Sequence, residues 1–449
     1  MGRLSLSQTL AIWCNGELLG HWRQTHGQQT LIYHPGWVDS PAGRPLSRSL
    51  PLGVGTRGEL KGEVVANYFD NLLPDSTDIR KRLAARHKAI STKAFDMLLA
   101  LGRDCVGAVQ LLPEGQAPAG FDRIEGVALD DRAVDALLLR TVSAAGLGAS
   151  GPDDDDLRIS LAGAQEKTAL LWHQGRWMRP LGATPTTHIL KLPLGPVGNR
   201  KINLSSSVDN EWLCLALLRA YGLPAAEADI VTFGGQRVLA VRRFDRALHP
   251  SGAWWMRLPQ EDFCQTLGLP SFMKYESDGG PGLRALGEVL KLSVQPERDL
   301  ATLFSSQVLF WMLAAPDGHA KNFSLQLLPQ GRYRLTPLYD VMSIWPAEGP
   351  GPGQWNWHKT KLAMALLGRS RHKLMKRVLP RHFESTVHQL KWNIDPMALM
   401  QHLVERTPDV IAQVSALLPP DFDESVAQTI FGQLIKSAEK LSDGCERLS

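Results

Sequence analysis

Disulfide chemistry is the first thing this sequence lacks. Its five cysteines, Cys14, Cys105, Cys214, Cys264 and Cys445, are scattered over 449 residues, with no CxxC pair and no Cys/His cluster. That pattern excludes a disulfide framework and a zinc site, and it fits a reducing compartment. No apolar run approaches the ~18 residues that a membrane helix needs. The N-terminal segment has no basic region followed by an apolar core, so no secretory signal is expected. Leu6 stands where a myristoylation signal wants Ser or Thr. There is no internal repeat, no Walker A sequence and no GxGxxG. Charge of one sign is also in short supply: 49 Lys+Arg against 45 Asp+Glu leave a net +4, too little to advertise nucleic-acid binding without a local basic patch. What is present is an ordinary globular composition, 44% hydrophobic and 21% charged. The length suits about two to four domains. A cytoplasmic protein without a membrane partner is expected.

The chain divides by its punctuation. Residues up to ~110 mix short apolar runs with Gly/Pro turns, and Leu112 to Gly120 reads as a loop or linker. A helical segment is expected around Asp130 to Ala145, followed by an acidic turn at Asp153–Asp156. Short strands are expected at Arg158–Ala162, Thr168–His173 and Thr187–Leu192. Asp209 is then placed to cap a mostly apolar helix that Gly222 stops. Asp229–Phe233 and Arg237–Arg242 flank Gly234-Gly235, a strong hairpin signal. An apolar helix over Leu300–Ala315 precedes a second hairpin, Phe323–Leu328 with Tyr333–Leu338, turning at Gln330-Gly331. Amphipathic helices are expected from there to the C-terminus.

Between that helix and hairpin, Asp317 and Asn322 stand five apart. Kinase catalytic loops use this D-x-x-x-x-N spacing: a carboxylate for the attacking hydroxyl and an amide oxygen for the metal at the phosphates. The spacing alone is common. The hairpin, however, delivers Asp340 at a strand end, a second oxygen ligand of the kind Mg²⁺ takes. Lys191 lies among apolar neighbours, where an unpaired ammonium is costly, so it calls for phosphates or a carboxylate. Glu211, in the first turn of the next helix, is a candidate partner, although an acid there also suits the helix dipole. The segment Ser160 to Lys167 carries small residues that allow close approach to phosphate oxygens. Small-residue loop, strand Lys, helix Glu, hairpin, helix, D-x(4)-N, hairpin and Asp together follow the order of a bilobal kinase.

These residues sit in longer stretches: RISLAGAQEKTAL (158–170), TPTTHILKLP (184–193), SVDNEWLCL (207–215), LPQEDFCQTLGLP (258–270), KYESDGGPG (274–282), DGHAKNFS (317–324) and RLTPLYD (334–340). With RPLSRSLPL (44–52), NYFDNLLPDS (67–76) and LPRHF (379–383), the chain closely resembles, over nearly its whole length, the HipA family of serine/threonine kinase toxins of HipBA toxin–antitoxin modules. The resemblance implies an α+β, bilobal protein-kinase-like fold with an antiparallel β N-lobe, a helical C-lobe and an appended β-rich N-terminal domain. The expected boundaries are 1–145, 146–245 and 246–449. It implies ATP and Mg²⁺ as cofactors and Asp317 as catalytic base. Asn322 and Asp340 would be the metal ligands, with His319 and Tyr339 beside the nucleotide. Lys191 would contact phosphate. Ala162, Gly163, Ala164, Gln165, Glu166 and Lys167 would form a mobile phosphate loop, and Arg242, Arg243 and Phe244 the adenine hinge. Ser160 corresponds to the autophosphorylated serine, whose modification would add about two negative charges beside the phosphate site and silence the enzyme. Arg242 and Pro316 depart from the family pattern, which has Glu and Thr there.

The resemblance also implies partners: a HipB-like antitoxin dimer, operator DNA bound through that complex, and an aminoacyl-tRNA synthetase, classically the glutamyl enzyme, as the substrate whose phosphorylation arrests growth. Lys359 to Lys391 holds nine Lys/Arg against one acid, Glu384. This run reads as a solvated helical face or a DNA-contacting one. Lys391 and His388 occupy the two family positions for that contact, and a neutral His contributes less to phosphate binding. A small-molecule kinase and a non-catalytic DNA-binding corepressor are the two other classes that fit parts of the pattern.

Overall fold

The computed structural model describes residues 7–53, 59–142, 159–163, 165–198 and 201–446. The acidic turn Asp153–Asp156, Arg158 and Ala164 lie outside the described residues.

Three bodies follow along the chain. The first is built on a five-stranded antiparallel sheet, in the order Glu59–Lys61, Gln28–Tyr33, Glu17–Thr25, Ser7–Cys14 and Val109–Pro113. Two-residue turns close its hairpins: Asn15-Gly16 and His26-Gly27 all have positive φ, the twist that matches right-handed strands. Helices Glu63–Asp70 and Ala94–Leu101 cover the inner face. There Trp22 stacks on Phe69 with centroids 3.9 Å apart, and its indole N–H donates to Gln29 Oε1 at 2.7 Å. Trp22→Ala removes a fully buried indole, so a loss of about 3–5 kcal/mol is expected in denaturant unfolding. An unchanged midpoint would show that this stack does not hold the body together.

The second body is a six-stranded antiparallel sheet, ordered Ala228–Phe233, Gln236–Arg242, His188–Lys191, Lys167–His173, Arg176–Pro180 and Gly126–Ala128. The Gly234-Gly235 hairpin forms as its signal indicated. Helix Asp131–Val142 lays Val134, Leu137 and Leu138 against Leu170, Leu190 and Val238. The edge strand Gly126–Ala128 and this helix precede the expected boundary at 145, yet both pack with the sheet that follows it. Among the described residues of the expected strand 158–162, which begin at Ile159, no strand forms: Ile159 makes only an isolated bridge to Asp104, and Gly163 one to Pro74.

The third body is mainly helical: Leu283–Leu290, Pro296–Met312, Pro380–Leu390, Pro396–Ser415 and Glu424–Glu446 share one core. Helix Ser207–Ala220 is threaded into that core and is buried on all sides except at Arg219, as its near-absence of a polar face requires. It starts earlier than its sequence signal, with Ser206 at the N-cap position. Asp209 is one turn in and pairs with Arg237 at 2.8 Å. The basic run is not one helical face. Lys361–Leu367 and Arg371–Leu374 form a hairpin flanked by single 3-10 turns at Trp357–Lys359 and Met375–Arg377, and only the residues from Pro380 onward enter an α-helix. No helix among the described residues is long and apolar enough to cross a membrane.

Candidate functional site

Between the six-stranded sheet and the helical body lies a cleft of about 650 Å³. It is lined by Ala162, Gly163, Gln165, Lys167, Lys191, Glu211, Arg242, Arg243, Phe244, Asp317, His319, Asn322, Tyr339 and Asp340. Apart from Ala164 and Glu166, every residue expected at a nucleotide or metal is therefore in one place. Glu166 turns away to an ion pair with Arg82 of the N-terminal body.

Strand pairing sets the first part of the site. Lys191 and Lys167 are directly opposed on neighbouring strands, so their ammonium groups share the cleft face. Lys191 Nζ donates to Glu211 Oε1 at 2.7 Å and to Asp340 Oδ1 at 2.8 Å. The doubtful partner, Glu211, is thus confirmed by geometry. It can reach Lys191 because three consecutive polar residues of the buried helix each bind a different element. Asp209 takes Arg237, Asn210 takes the backbone of Ser343 at 2.7 and 2.9 Å, and Glu211 takes Lys191. Burial opposes ionisation of Asp340, but Lys191 and Lys167 outweigh it and hold that carboxyl well below its ordinary value. For Glu211 burial wins and its carboxyl is raised, despite the same lysine. Asp340 is the more exposed of the two and so takes the negative charge more readily. Burial would lower Lys191; the two carboxylates raise it instead. Lys167 has no such pair among the described residues. Burial, followed by the Lys191 charge, pulls it down to about 8.

The second part comes from the loop after helix Pro296–Met312. Asp317 Oδ1 accepts from the Tyr275 phenol at 2.5 Å, and its backbone carbonyl accepts from Asn322 Nδ2 at 2.7 Å. The five-residue spacing is therefore a closed loop, with the Asn amide N–H₂ committed and its oxygen left to act as a ligand. Pro316 lines the same cleft and leaves this closure intact. Between the two, Lys321 is buried and donates to Asp262 at 2.8 Å and to Asn71 Oδ1 at 2.8 Å, which pins the loop to the N-terminal body. Tyr339 donates to the Lys321 carbonyl at 2.7 Å, and Asp340 follows at φ 60°. Tyr275 and Lys321 were invisible as functional residues in the sequence, although both lie inside quoted motifs, because nothing local says what they bond.

The donor set fits a nucleoside triphosphate and a hard metal ion. His319 is lowered by burial, and its Nδ1 is a buried ring nitrogen without a partner among the described residues. Gly163 has φ 110°, a backbone conformation that favours glycine, and it sits beside the Lys167 ammonium. Among the described residues no cluster of three His, Cys, Asp or Glu could hold a metal. An ion would take Asn322 and Asp340 and complete its shell from phosphate and water, as Mg²⁺ does. At the hinge, Arg243 N–H donates to Thr187 O at 2.9 Å, while the Arg242 side chain swings out to Glu227 at 2.8 Å.

Three expected residues lie elsewhere. Ser160 is fully buried, and its hydroxyl donates to the Leu72 carbonyl at 2.7 Å, outside the cleft lining. His388 is exposed at the end of helix Pro380–Leu390, and Lys391 caps that helix at φ 52°. Of the basic hairpin, Arg371 and Lys373 pair with Glu276, and Lys361 and Lys373 line the cleft. The run is thus divided between two surfaces.

Comparison with known proteins agrees in extent. Residues 159–415 match the HipA-like C-terminal domain, and residues 10–112 the HipA N-terminal domain. The chain is 33% identical to the putative kinase Y4mE of Sinorhizobium fredii, over 75% of this chain and 77% of that one. It is 26% identical to the serine/threonine-protein kinase toxin HipA of Shewanella oneidensis, over 88% and 86% of the two chains. The fold matches a chain from the Shewanella oneidensis complex of HipA, HipB and operator DNA. There the TM-score is 0.78 at 22% identity, covering 98% and 99% of the two chains.

Proposed function

The chain belongs to the HipA family, and from that premise we propose that it is an ATP- and Mg²⁺-dependent serine/threonine-protein kinase acting as the toxin of a toxin–antitoxin module. One observation carries this reading. The carboxylate of Asp317, held by Tyr275 while Asn322 ties down the backbone carbonyl of the same residue, shares a cleft with the Lys191–Glu211–Asp340 triad. Catalysis then rests on positioning and charge, since phosphoryl transfer leaves little covalent work to the protein. Lys191 and Lys167 hold phosphate oxygens. Asp317 orients the acceptor hydroxyl and takes its proton. The hinge backbone at 242–244 holds the base. Asn322 and Asp340 would hold Mg²⁺, which would neutralise phosphate charge. The acceptor is a serine of an aminoacyl-tRNA synthetase, with the glutamyl enzyme as first candidate.

Two further roles belong to this proposal. Ser160 is the autophosphorylation site, which requires the segment to leave its bond to Leu72. A HipB-like antitoxin dimer and operator DNA meet the far surface, with His388 and Lys391 toward phosphates. The test is incubation with Mg-ATP and a bacterial extract, followed by phosphosite mapping. Phosphoserine on a synthetase and on Ser160 is expected. Rapid phosphorylation of a small alcohol with no protein phosphate would mean a small-molecule kinase. No phosphate on either would mean a non-catalytic corepressor.

The lowered Lys167 adds a pH dependence. Its ammonium is present below about 8 and is lost above it. ATP affinity should therefore weaken between pH 7 and 9 in the wild type and stay flat over that range in Lys167→Met. Parallel curves for the two proteins would remove Lys167 from the phosphate site.

A further inference from the structure

The N-terminal body reaches the cleft at Asn71, Leu72 and Asp75 and, on the hinge side, through one short segment, Asp104 to Gly107. Only Val106 of the four lines the cavity; its neighbours are bonded to the hinge. The Cys105 carbonyl accepts from Arg243 at 2.8 Å and Arg246 at 2.9 Å. Gly107 N–H donates to Asp245 at 2.7 Å, and its carbonyl accepts from Arg246 at 2.8 Å. Gly107 has φ 75°, and a Cβ there would lie 2.7 Å from the Gln260 carbonyl, so this approach tolerates only glycine.

Asp104 holds the ensemble. Its Oδ2 accepts from Thr186 N at 3.1 Å, Thr186 Oγ1 at 2.7 Å and Arg243 at 3.3 Å. Its Oδ1 accepts from Arg246 at 2.9 Å and Arg257 at 3.3 Å. Its backbone carbonyl accepts from Ser160 N–H at 3.1 Å, at the foot of the small-residue loop. Burial opposes its charge, but Arg246, Arg243 and Arg257 hold it ionised. Three buried guanidiniums share two carboxylates, Asp104 and Asp245. Removing one carboxylate leaves buried positive charge uncompensated, a state that costs several kcal/mol and that a short segment relieves by shifting.

We propose that Asp104 is a positioning residue for the nucleotide: one residue of the N-terminal body sets the adenine hinge and the foot of the phosphate loop in register. The N-terminal body is then part of the nucleotide site. This rests on the reading of the cleft as an ATP site.

The test measures adenosine and ADP binding by titration calorimetry on the full chain, at a temperature where circular dichroism shows every variant folded. Asp104→Asn is expected to weaken both ligands at least tenfold, because both ends of the cleft move. Tyr221→Phe, which breaks a buried hydroxyl bond to Thr407 outside the cleft, is expected to lower the Tm with both affinities unchanged. Asp104→Glu keeps the charge but displaces it by a methylene, so the Tm should fall less than in Asp104→Asn while both affinities still fall at least threefold. Wild-type affinities in both Asp104 variants would make the residue purely structural and overturn the proposal. So would a loss confined to ADP. If the wild type bound neither ligand, the nucleotide reading itself would fall, and the proposal with it.

Discussion

Asp317→Asn is expected to lower phosphoryl transfer to protein serine by about 10²–10⁴-fold, the usual worth of a positioned general base, with ATP still bound. The substitution is nearly isosteric. The Tyr275 phenol can still donate to the amide oxygen, and the closure by Asn322 uses the backbone carbonyl of residue 317, which is unchanged. What is lost is the ability to take the acceptor proton. Single-turnover transfer of labelled phosphate, set beside nucleotide titration, separates the two effects. In cells the same variant should lose growth arrest. Transfer within threefold of wild type would exclude Asp317 as the base. Arrest that persists without transfer would move the toxicity from phosphorylation to another activity of the fold.

The second large effect is expected at Lys191. Lys191→Met leaves Glu211 fully buried beside Asp340 with the shared cation gone. Breaking a buried ion pair from one side costs about 3–5 kcal/mol, and nucleotide affinity should go with it, since one of the two lysines assigned to the phosphates is removed. The pH dependence has a definite sign. In the wild type, the depressed Asp340 contributes stability that is present above about 3.9, the ordinary Asp value, and lost as pH falls through its lower folded value. The variant lacks that contribution, and its Glu211 is relieved by protonation. The stability difference should therefore be largest near neutral pH and shrink in acid. Denaturant titrations at pH 7 and pH 4 measure it. A difference that grew in acid would contradict the triad. Glu211→Gln in the same background should recover part of the loss.

Legibility in the sequence followed the range of the interaction. The Gly234-Gly235 hairpin and the Asp317–Asn322 loop were readable because their causes lie within a few residues. Lys191 was readable as a question, a charge among apolar neighbours, and its register opposite Lys167 came only with strand pairing. The Asp209 cap misled by one turn. An acid near a helix start usually serves the dipole, and here it serves Arg237, 28 residues away. The basic run misled further, because charge counting has no direction: a hairpin turns Lys361 and Lys373 toward the cleft, while His388 and Lys391 end a helix. Tyr275, Lys321 and Asp104 were silent for the same reason, since their partners are 42 to 250 residues distant. The family motifs recovered the site as a set, but they do not say which bond each member makes.

The edge strand Gly126–Ala128 and the helix behind it bear on how relatives can be recombined. A chimaera joined at 145/146 would carry one parent's edge strand and backing helix on another parent's sheet. It should be poorly soluble, because Val134, Leu137 and Leu138 would meet a mismatched apolar face. A junction within 114–125 keeps that sheet in one parent. It still divides Asp104 from Arg243, Arg246 and Arg257, so a swapped N-terminal body would function only where donor and recipient carry the same charges at that seam. Compatibility between the bodies of two relatives could then be screened at four positions before any chimaera is made.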